Sequence, residues 1–502
     1  MTIHLTRAAS RAALALASIV LLMSAGITAS SAQVMPPQQT SPTKGVVKKG
    51  KVPVSTALPM IKLPKAAEAD LPNGLHLIVL EDHRLPQISF TIYIPGAGGY
   101  YDPTDQPGLA TFTAGLMREG TATRTSEQIS QQLEVMAATL NVGATVSGPE
   151  ATVGGSCLTE QFDKLLDLAS DVLLHPTFPE EELARYKQRL RTQLVQQRTI
   201  PGFLAQELFQ RAVYGTHPAS RVSTTIAALD KVTRDAIVGN HHAHFTPDHA
   251  AFAISGDISL AEAQKLVAAK FGGWGKSGAN PAAPTDPEPI GAARIFLIGR
   301  PNSVQTSFIV GEQAIERTNA DYDRLQVMNR ILGGGPTGRL FIHLREEKGY
   351  TYGIGSSVNA PAHRGEWSAS TDVRSEVTEA ALRDLLAEIA QMRDQPVTDE
   401  ELADSKRAMI AGFALSLESP AQLLNYAVTR WRYKLPADYY DRYAERVSAV
   451  TKNDVEAMAK KYLGTDHMQI VAVGDPLKVA DVLKKFGEVE TYDADGKKIG
   501  TP

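Results

Sequence analysis

Apolar residues recur along this chain with two different periods. In 126–140 (SEQISQQLEVMAATL) and 160–174 (EQFDKLLDLASDVLL) they fall at steps of three and four, which gathers them on one helical face. EAALRDLLAEIAQMRD at 379–394 repeats the pattern. LESPAQLLNYAVTRWRYKL at 417–435 opens on Ser-Pro, a side-chain cap followed by a residue suited to the first helical turn, and predicts a helix running to its basic end. Shorter runs differ in kind. ISFTIYI at 88–94, IFLIG at 295–299 and TSFIVGEQ at 306–313 are rich in β-branched and aromatic residues and predict strands. Strands and helices interleave without a regular βα period, so the fold class is α+β.

The pattern also repeats at long range. PTFPEEELARYKQRL at 176–190 echoes PVTDEELADSKRAMI at 396–410, with Leu183 matching Leu402 at an offset of 219. VTRDAI at 232–237 echoes VTKNDV at 450–455, Thr246-Pro247-Asp248-His249 echoes Gly464-Thr465-Asp466-His467, and Gly256-Asp257 echoes Gly474-Asp475, all at 218. Chance likeness between helices would not hold one register over four segments, so the body consists of two homologous halves. The halves are 61–274 and 290–485, joined by a linker at 275–289 (GKSGANPAAPTDPEP) and followed by a tail at 486–502.

Residues 1–32 have the form of a cleaved signal peptide. Arg7 and Arg11 precede the apolar run 13–23, and Ser30-Ser31-Ala32 offers small residues for cleavage. The apolar run falls short of the roughly 20 residues a membrane span needs. The expectation is an exported, periplasmic protein with no span after signal removal. Residues 33–60, rich in Pro, Gln, Lys and Thr, predict an extended tether. Removing Arg7 and Arg11 leaves 49 basic against 55 acidic residues, a net charge of −6, which argues against a nucleic-acid partner. Cys157 is the single cysteine and lies in an apolar run, so it is expected to be a buried small residue and the fold to be held by its core alone.

Candidate chemistry starts at 107–121, PGLATFTAGLMREGT. This stretch resembles the GLAHFLEH-type segment of the pitrilysin/insulinase family of zinc peptidases, the inverted HxxEH enzymes. In that family two imidazoles on one helical face bind zinc and the Glu beside the second activates water. Matched onto this chain, the ligand positions hold Thr111 and Gly115 and the base position holds Ala114. The third ligand, a Glu on a later helix, falls on Gln193. A hydroxyl, a methyl, a hydrogen and an amide make no divalent-metal site. None of the twelve His begins an HxxEH or HExxH motif; His343 with Glu346 and His363 with Glu366 each lack the second imidazole. His241, His242, His244 and His249 cluster in NHHAHFTPDH, but the repeat copy keeps only His467, which favours a structural role over a metal.

The resemblance covers residues 66 to about 480, and a second segment carries it. ILGGGPTGRLFIHLREEKGYTYGIG at 331–355 is similar to the family's Arg/Tyr signature, with Arg345 and Tyr352 seven residues apart. In relatives this pair faces the zinc site from the opposite half, binds peptide backbone and stabilises the tetrahedral intermediate. Read from spacing alone, Arg345 is an ordinary ion-pair partner of Glu346 or Glu347. Tyr350 falls at a packing position. Gly333, Gly334 and Gly335 lack a phosphate-loop ending and predict a flexible turn, a loop that contacts substrate in relatives. Gly96, Gly98 and Gly99 likewise predict a turn.

The resemblance implies two halves, each a sheet with helices on one face, closing as a clam shell. It further implies a non-catalytic subunit: no cofactor in this chain, zinc in an HxxEH-bearing homologous partner, and a peptide or small protein as substrate. A structural or peptide-binding protein without proteolytic role is the alternative. Catalysis at another site is disfavoured, since no Ser or Cys sits in a nucleophile motif such as G-x-S-x-G.

Overall fold

The computed structural model describes residues 62–278 and 282–500. The leader and tether fall outside these described residues. Two sheets form the body. The first has the spatial order β1 (Ala67–Asp70), β2 (His76–Glu81), β6 (Ala251–Gly256), β3 (Gln87–Pro95), β5 (Glu150–Leu158), β4 (Thr139–Ala144). The second runs β13 (Lys498–Gly500), β12 (Val489–Tyr492), β7 (Arg294–Gly299), β11 (Gln469–Gly474), β8 (Gln305–Gln313), β10 (Glu366–Arg374), β9 (Thr351–Asn359). Five strands of one sheet match five of the other in order, and β2, β3 and β6 precede β7, β8 and β11 by 218 residues each. Pairing direction matches too: β6 is parallel to β2 and antiparallel to β3, as β11 is to β7 and β8.

The first half carries helices α1 (Leu109–Leu116), α2 (Ser126–Val135), α3 (Phe162–Leu174), α4 (Glu180–Gln197), α5 (Pro201–Tyr214), α6 (Ile226–Lys231), α7 (Arg234–His244) and α8 (Leu260–Phe271). The second carries α9 (Tyr322–Leu332), a π-helical segment (Phe341–Glu347), α10 (Thr378–Asp394), α11 (Asp399–Ser416), α12 (Pro420–Arg432), α13 (Tyr443–Ala449), α14 (Lys452–Tyr462) and α15 (Pro476–Lys484). The echoed VT pairs are helix starts: Thr233 accepts from the Ala236 N–H and Thr451 from the Asp454 N–H. Ser419 caps α12 as its Ser-Pro signal predicts. The expected helix 126–140 is shorter. It stops at Val135, Ala137 turns the chain with φ of +47°, and β4 begins at Thr139. Leu140 sits one helical turn beyond Met136, so a strand residue extended the helical pattern by coincidence.

Each sheet packs its own helices on one face, around two separate apolar cores. The opposite face is covered by the other half. Helix α5 of the first half lays Leu204, Leu208, Phe209 and Val213 on Phe296, Ile298, Ile309 and Val471 of the second sheet. Helix α12 returns the exchange, setting Leu423, Leu424 and Val428 on Ile78, Leu80, Ala251 and Ala253 of the first. Burial on both faces explains why β6 and β11 are apolar along almost their whole length instead of alternating.

Segments flanking the two halves reinforce the exchange. Leu63 and Ala66 pack against α12, and Arg198 and Arg211 of the first half donate to the carbonyls of Ala494 and Gly496. The segment taken as a tail joins the sheet instead: β12 adds parallel to β7 and β13 antiparallel to β12. The linker is pinned to both halves, through Tyr101 Oη to the Ala282 carbonyl (2.8 Å) and the Arg364 N–H to Asp286 (2.8 Å). A cavity of about 450 Å³ lies between the halves, lined by Tyr100, Gln210 and Tyr214 from one and Asn359 and His363 from the other. Among the described residues no helix is long and apolar enough to cross a membrane.

Candidate functional site

The first candidate region is built on α1. Its N-terminus is held by Asp102, which accepts from the N–H groups of Gly108 (2.7 Å) and Ala110 (2.9 Å). Burial pushes this carboxyl up to about 6 against the pull of those donors. The three α1 positions matched to zinc chemistry are all committed to packing. Thr111 Oγ1 donates to the Ala144 carbonyl at 3.0 Å, tying α1 to β4. Ala114 is 1 % exposed. At Gly115 a Cβ would lie 2.6 Å from Tyr186 Oη, because the Tyr186 ring on α4 fills the space a larger residue would need. Phe112 meets that ring edge-on at 5.5 Å, and Arg189 lies over it while pairing with Glu119 at 3.6 Å. Gln193 is exposed two turns further along α4. One donated hydroxyl, a methyl, an occluded glycine and an exposed amide do not fit a divalent cation. Among the described residues no group of three or more His, Cys, Asp or Glu is placed to hold a metal.

Tyr186 is the residue that sequence reading missed here. A signal was present: it stands seven positions before Gln193, on the same face of the same helix.

The second candidate region spans 333–359. Helix α9 ends at Gly333, whose N–H and that of Gly334 both donate to the Asn329 carbonyl. The glycines of this turn permit close approach. A Cβ on Gly333 would meet Ser356 Oγ at 2.6 Å and Leu340 Cδ1 at 2.8 Å. The chain then forms the π-helical turn carrying Arg345, and π-turns are commonly found at functional sites. Leu344 anchors that turn in the core, and His343 pairs with Glu388 at 2.7 Å.

Strand β9 brings Tyr352 to Arg345. The Arg345 guanidinium lies 5.4 Å from the Tyr352 ring and 4.6 Å from the Phe341 ring, and pairs with Glu346 at 3.0 Å. Both readings of Arg345 therefore have their contact, since the local ion pair and the tyrosine coexist. Tyr352 is 92 % exposed, whereas Ile354 two residues on is buried. Residues i and i+2 of a regular strand share a face. The reason they do not here is a bulge: Thr351 pairs with Val373 and Ile354 with Thr371, so Tyr352 and Gly353 stand opposite Asp372 alone. Bulges re-aim side chains in this way. Tyr350 is half-buried against the core, as its packing position predicts.

The remaining sequence candidates have structural roles. His363 lies 4.6 Å from His217 across the junction of the halves, and Glu366 accepts from Tyr214, Gln210 and Asn359 there. Burial raises the Glu366 carboxyl above its usual range. His241 contacts the Leu173 carbonyl through Nε2 at 2.8 Å and stacks on Phe245. His249 occupies a left-handed turn at φ +64°. Cys157 is buried, which pushes its thiol up to about 11 and makes it a poor nucleophile.

Comparison with known proteins places this geometry. Residues 77–223 match the model of the insulinase family, peptidase family M16, and residues 231–409 match that of the peptidase M16 inactive domain. An uncharacterized zinc protease of Streptomyces coelicolor is 25 % identical over 405 residues, covering 78 % of this chain and 86 % of that one. Another from Bacillus subtilis is 23 % identical over 351 residues, covering 69 % and 83 %. Among solved structures, a peptidase M16 inactive domain from Pseudomonas fluorescens aligns with a TM-score of 0.76 and 27 % identity, over 82 % of this chain and 98 % of that one. A protease from Helicobacter pylori shares the fold, with a TM-score of 0.75 at 16 % identity over 82 % and 100 %.

Proposed function

The chain belongs to the M16 (insulinase) peptidase family, and on that premise we propose that it is the non-catalytic subunit of a two-subunit peptidase. The reading rests on one contrast. Thr111, Ala114 and Gly115 on α1 are committed to packing and Gln193 is an exposed amide, while Arg345 and Tyr352 stand together with the phenol held in solvent by a bulge. A packed core has no use for a 92 % exposed tyrosine, but a peptide-binding surface does.

In this reading zinc and the water it activates belong to an HxxEH-bearing homologous partner. This chain would supply donors. The Arg345 guanidinium offers fixed charge and a fork of N–H groups, and the Tyr352 phenol offers one directional O–H. Both would bind the carbonyl oxygen of a bound peptide, and each such donor to a developing oxyanion typically contributes about 10²–10³ in rate. The Gly333–Gly335 turn would border the same peptide. The signal-like pattern of residues 1–32 supports export to the periplasm in this reading.

The test is reconstitution. The purified chain should cleave no peptide and bind no stoichiometric zinc. Co-purification from the native host should yield an HxxEH homologue, and the mixture should hydrolyse peptides. Arg345→Ala or Tyr352→Phe should lower that rate by about ten-fold or more without loss of assembly. Unchanged rates in both variants would remove the proposed role and leave a scaffold.

A further inference from the structure

We propose that the second half contains a separate binding site for an aromatic carboxylate, in the tyrosine-walled cavity between α9, α11 and α12. The cavity measures about 470 Å³, within the range of small-molecule sites. One wall is a continuous aromatic surface: Phe413 lies 4.4 Å from Tyr443 and 5.3 Å from Tyr426, and Tyr426 lies 4.4 Å from Tyr440. Such a wall suits a planar or bulky apolar group.

The polar feature is Arg317, only 9 % exposed yet lining the cavity. Its guanidinium lies 3.9 Å from the Tyr322 ring and 5.2 Å from that of Tyr439, and donates to Tyr439 Oη at 3.1 Å. No carboxylate among the described residues pairs with it. Asp323, the acid in the same lining, is taken by Arg446 at 2.6 Å, and Arg446 also stacks on Tyr439. Two guanidiniums and one carboxylate leave a net positive charge beside the cavity. A buried cation without a counter-ion is costly unless something supplies the missing anion.

A second observation points the same way. Gly412 lies inside α11, where glycine weakens a helix, and nothing stands within 4 Å of where its Cβ would be. Gly412 belongs to the lining of the cavity and adds no side chain to it. The corresponding cavity of the first half shows the contrast. Glu207 stands at the repeat position of Tyr426, and Arg198 holds it with bonds of 2.6 and 2.7 Å. There the wall itself carries a carboxylate, and Arg198 and Arg211 already pair with it. The second-half site owes nothing to Arg345 or Tyr352, so its failure would leave their proposed role intact.

Calorimetric titration of the full chain tests the assignment, with N-acetyl-L-phenylalanine and its uncharged amide as probes. The acid should bind at least ten-fold more tightly than the amide. Arg317→Gln should abolish that preference. Gly412→Met should weaken binding of the acid at least ten-fold with no fall in the thermal midpoint, since it fills the cavity and favours the helix. A short peptide ending in Phe, with free or amidated C-terminus, identifies the source: discrimination between its two forms assigns a peptide terminus, and binding of the free acid alone assigns a small metabolite. Equal binding of acid and amide, no binding of either, or undiminished binding to Gly412→Met would overturn the proposal.

Discussion

The two halves share a strand order and a register of helices, yet they have spent their equivalent positions in opposite ways. In the first half Gly115 lets Tyr186 press against α1, and Gln193 on α4 is exposed. In the second, Gly412 stands on α11 at the position that repeats Gln193, and it faces open space. The first half packs Thr111, Ala114 and Gly115 against their neighbours, whereas the second leaves Tyr352 exposed and, among the described residues, Arg317 without a carboxylate. The difference teaches that burial preserves the fold while the exposed positions remain free to change chemistry.

The exchanged helices offer the largest test of the likeness. Phe209 on α5 and Val428 on α12 are repeat partners, each buried in the opposite half's sheet. Phe209→Ala should cost about 3–5 kcal/mol in urea unfolding, and Val428→Ala about 2 kcal/mol, because the aromatic leaves the larger cavity. Equal costs would mean that the two junctions relax differently from their packing.

Placing an imidazole at position 115 should fail in a specific way. Gly115→His drives a side chain into Tyr186, and the overpacking should cost about 1–3 kcal/mol. Adding Tyr186→Ala should recover part of that loss. If Gly115→His is neutral in thermal unfolding, the closure of the first half is not steric.

A pH difference should sharpen the comparison further. Glu312 in β8 repeats Ile94 in β3; both are buried, and one Glu312 oxygen has no partner. Burial pushes its carboxyl up to about 8 from an ordinary value of 4.5. The folded state therefore holds the proton more tightly than the unfolded state. This contribution to stability is complete below about pH 4.5 and is lost as pH rises through 8. Glu312→Gln should flatten that part of the stability–pH curve by several kcal/mol, since each tenfold difference in proton affinity between folded and unfolded states is worth about 1.4 kcal/mol. A curve unchanged by the substitution would contradict the assignment.

The smallest effect should be the most symmetrical. Thr233→Ala and Thr451→Ala each remove a cap from α7 or α14 and should each cost about 1 kcal/mol. Unequal losses would show that the repeated helices lean on different neighbours.

Much of this was legible in the chain. The offsets of 218 and 219 reappear as matched strands and helices, and the VT and Ser-Pro signals became caps. The absence of His at 111 and 115 was visible directly. Other features had no local signature. Nothing in SEQISQQLEVMAATL marks the end of α2 at Val135, because helix and strand periods agree over Met136 and Leu140. Nothing in GYTYGIG marks the bulge, because it depends on Thr371 and Val373 in another strand.

The sequence by itself determined the duplication, the α+β character, the identity of most elements and the residue types at 111, 114, 115 and 193. Residue type and periodicity report how deeply a position is buried and on which face. They do not report what buries it. Only the tertiary structure decided that α5 and α12 cross between halves, that Tyr186 occupies the space beside Gly115, that Tyr352 turns outward, and that Arg317 is left without a carboxylate. Each of those outcomes is set by contact between segments far apart in the chain, and such contacts follow from how whole faces fit together.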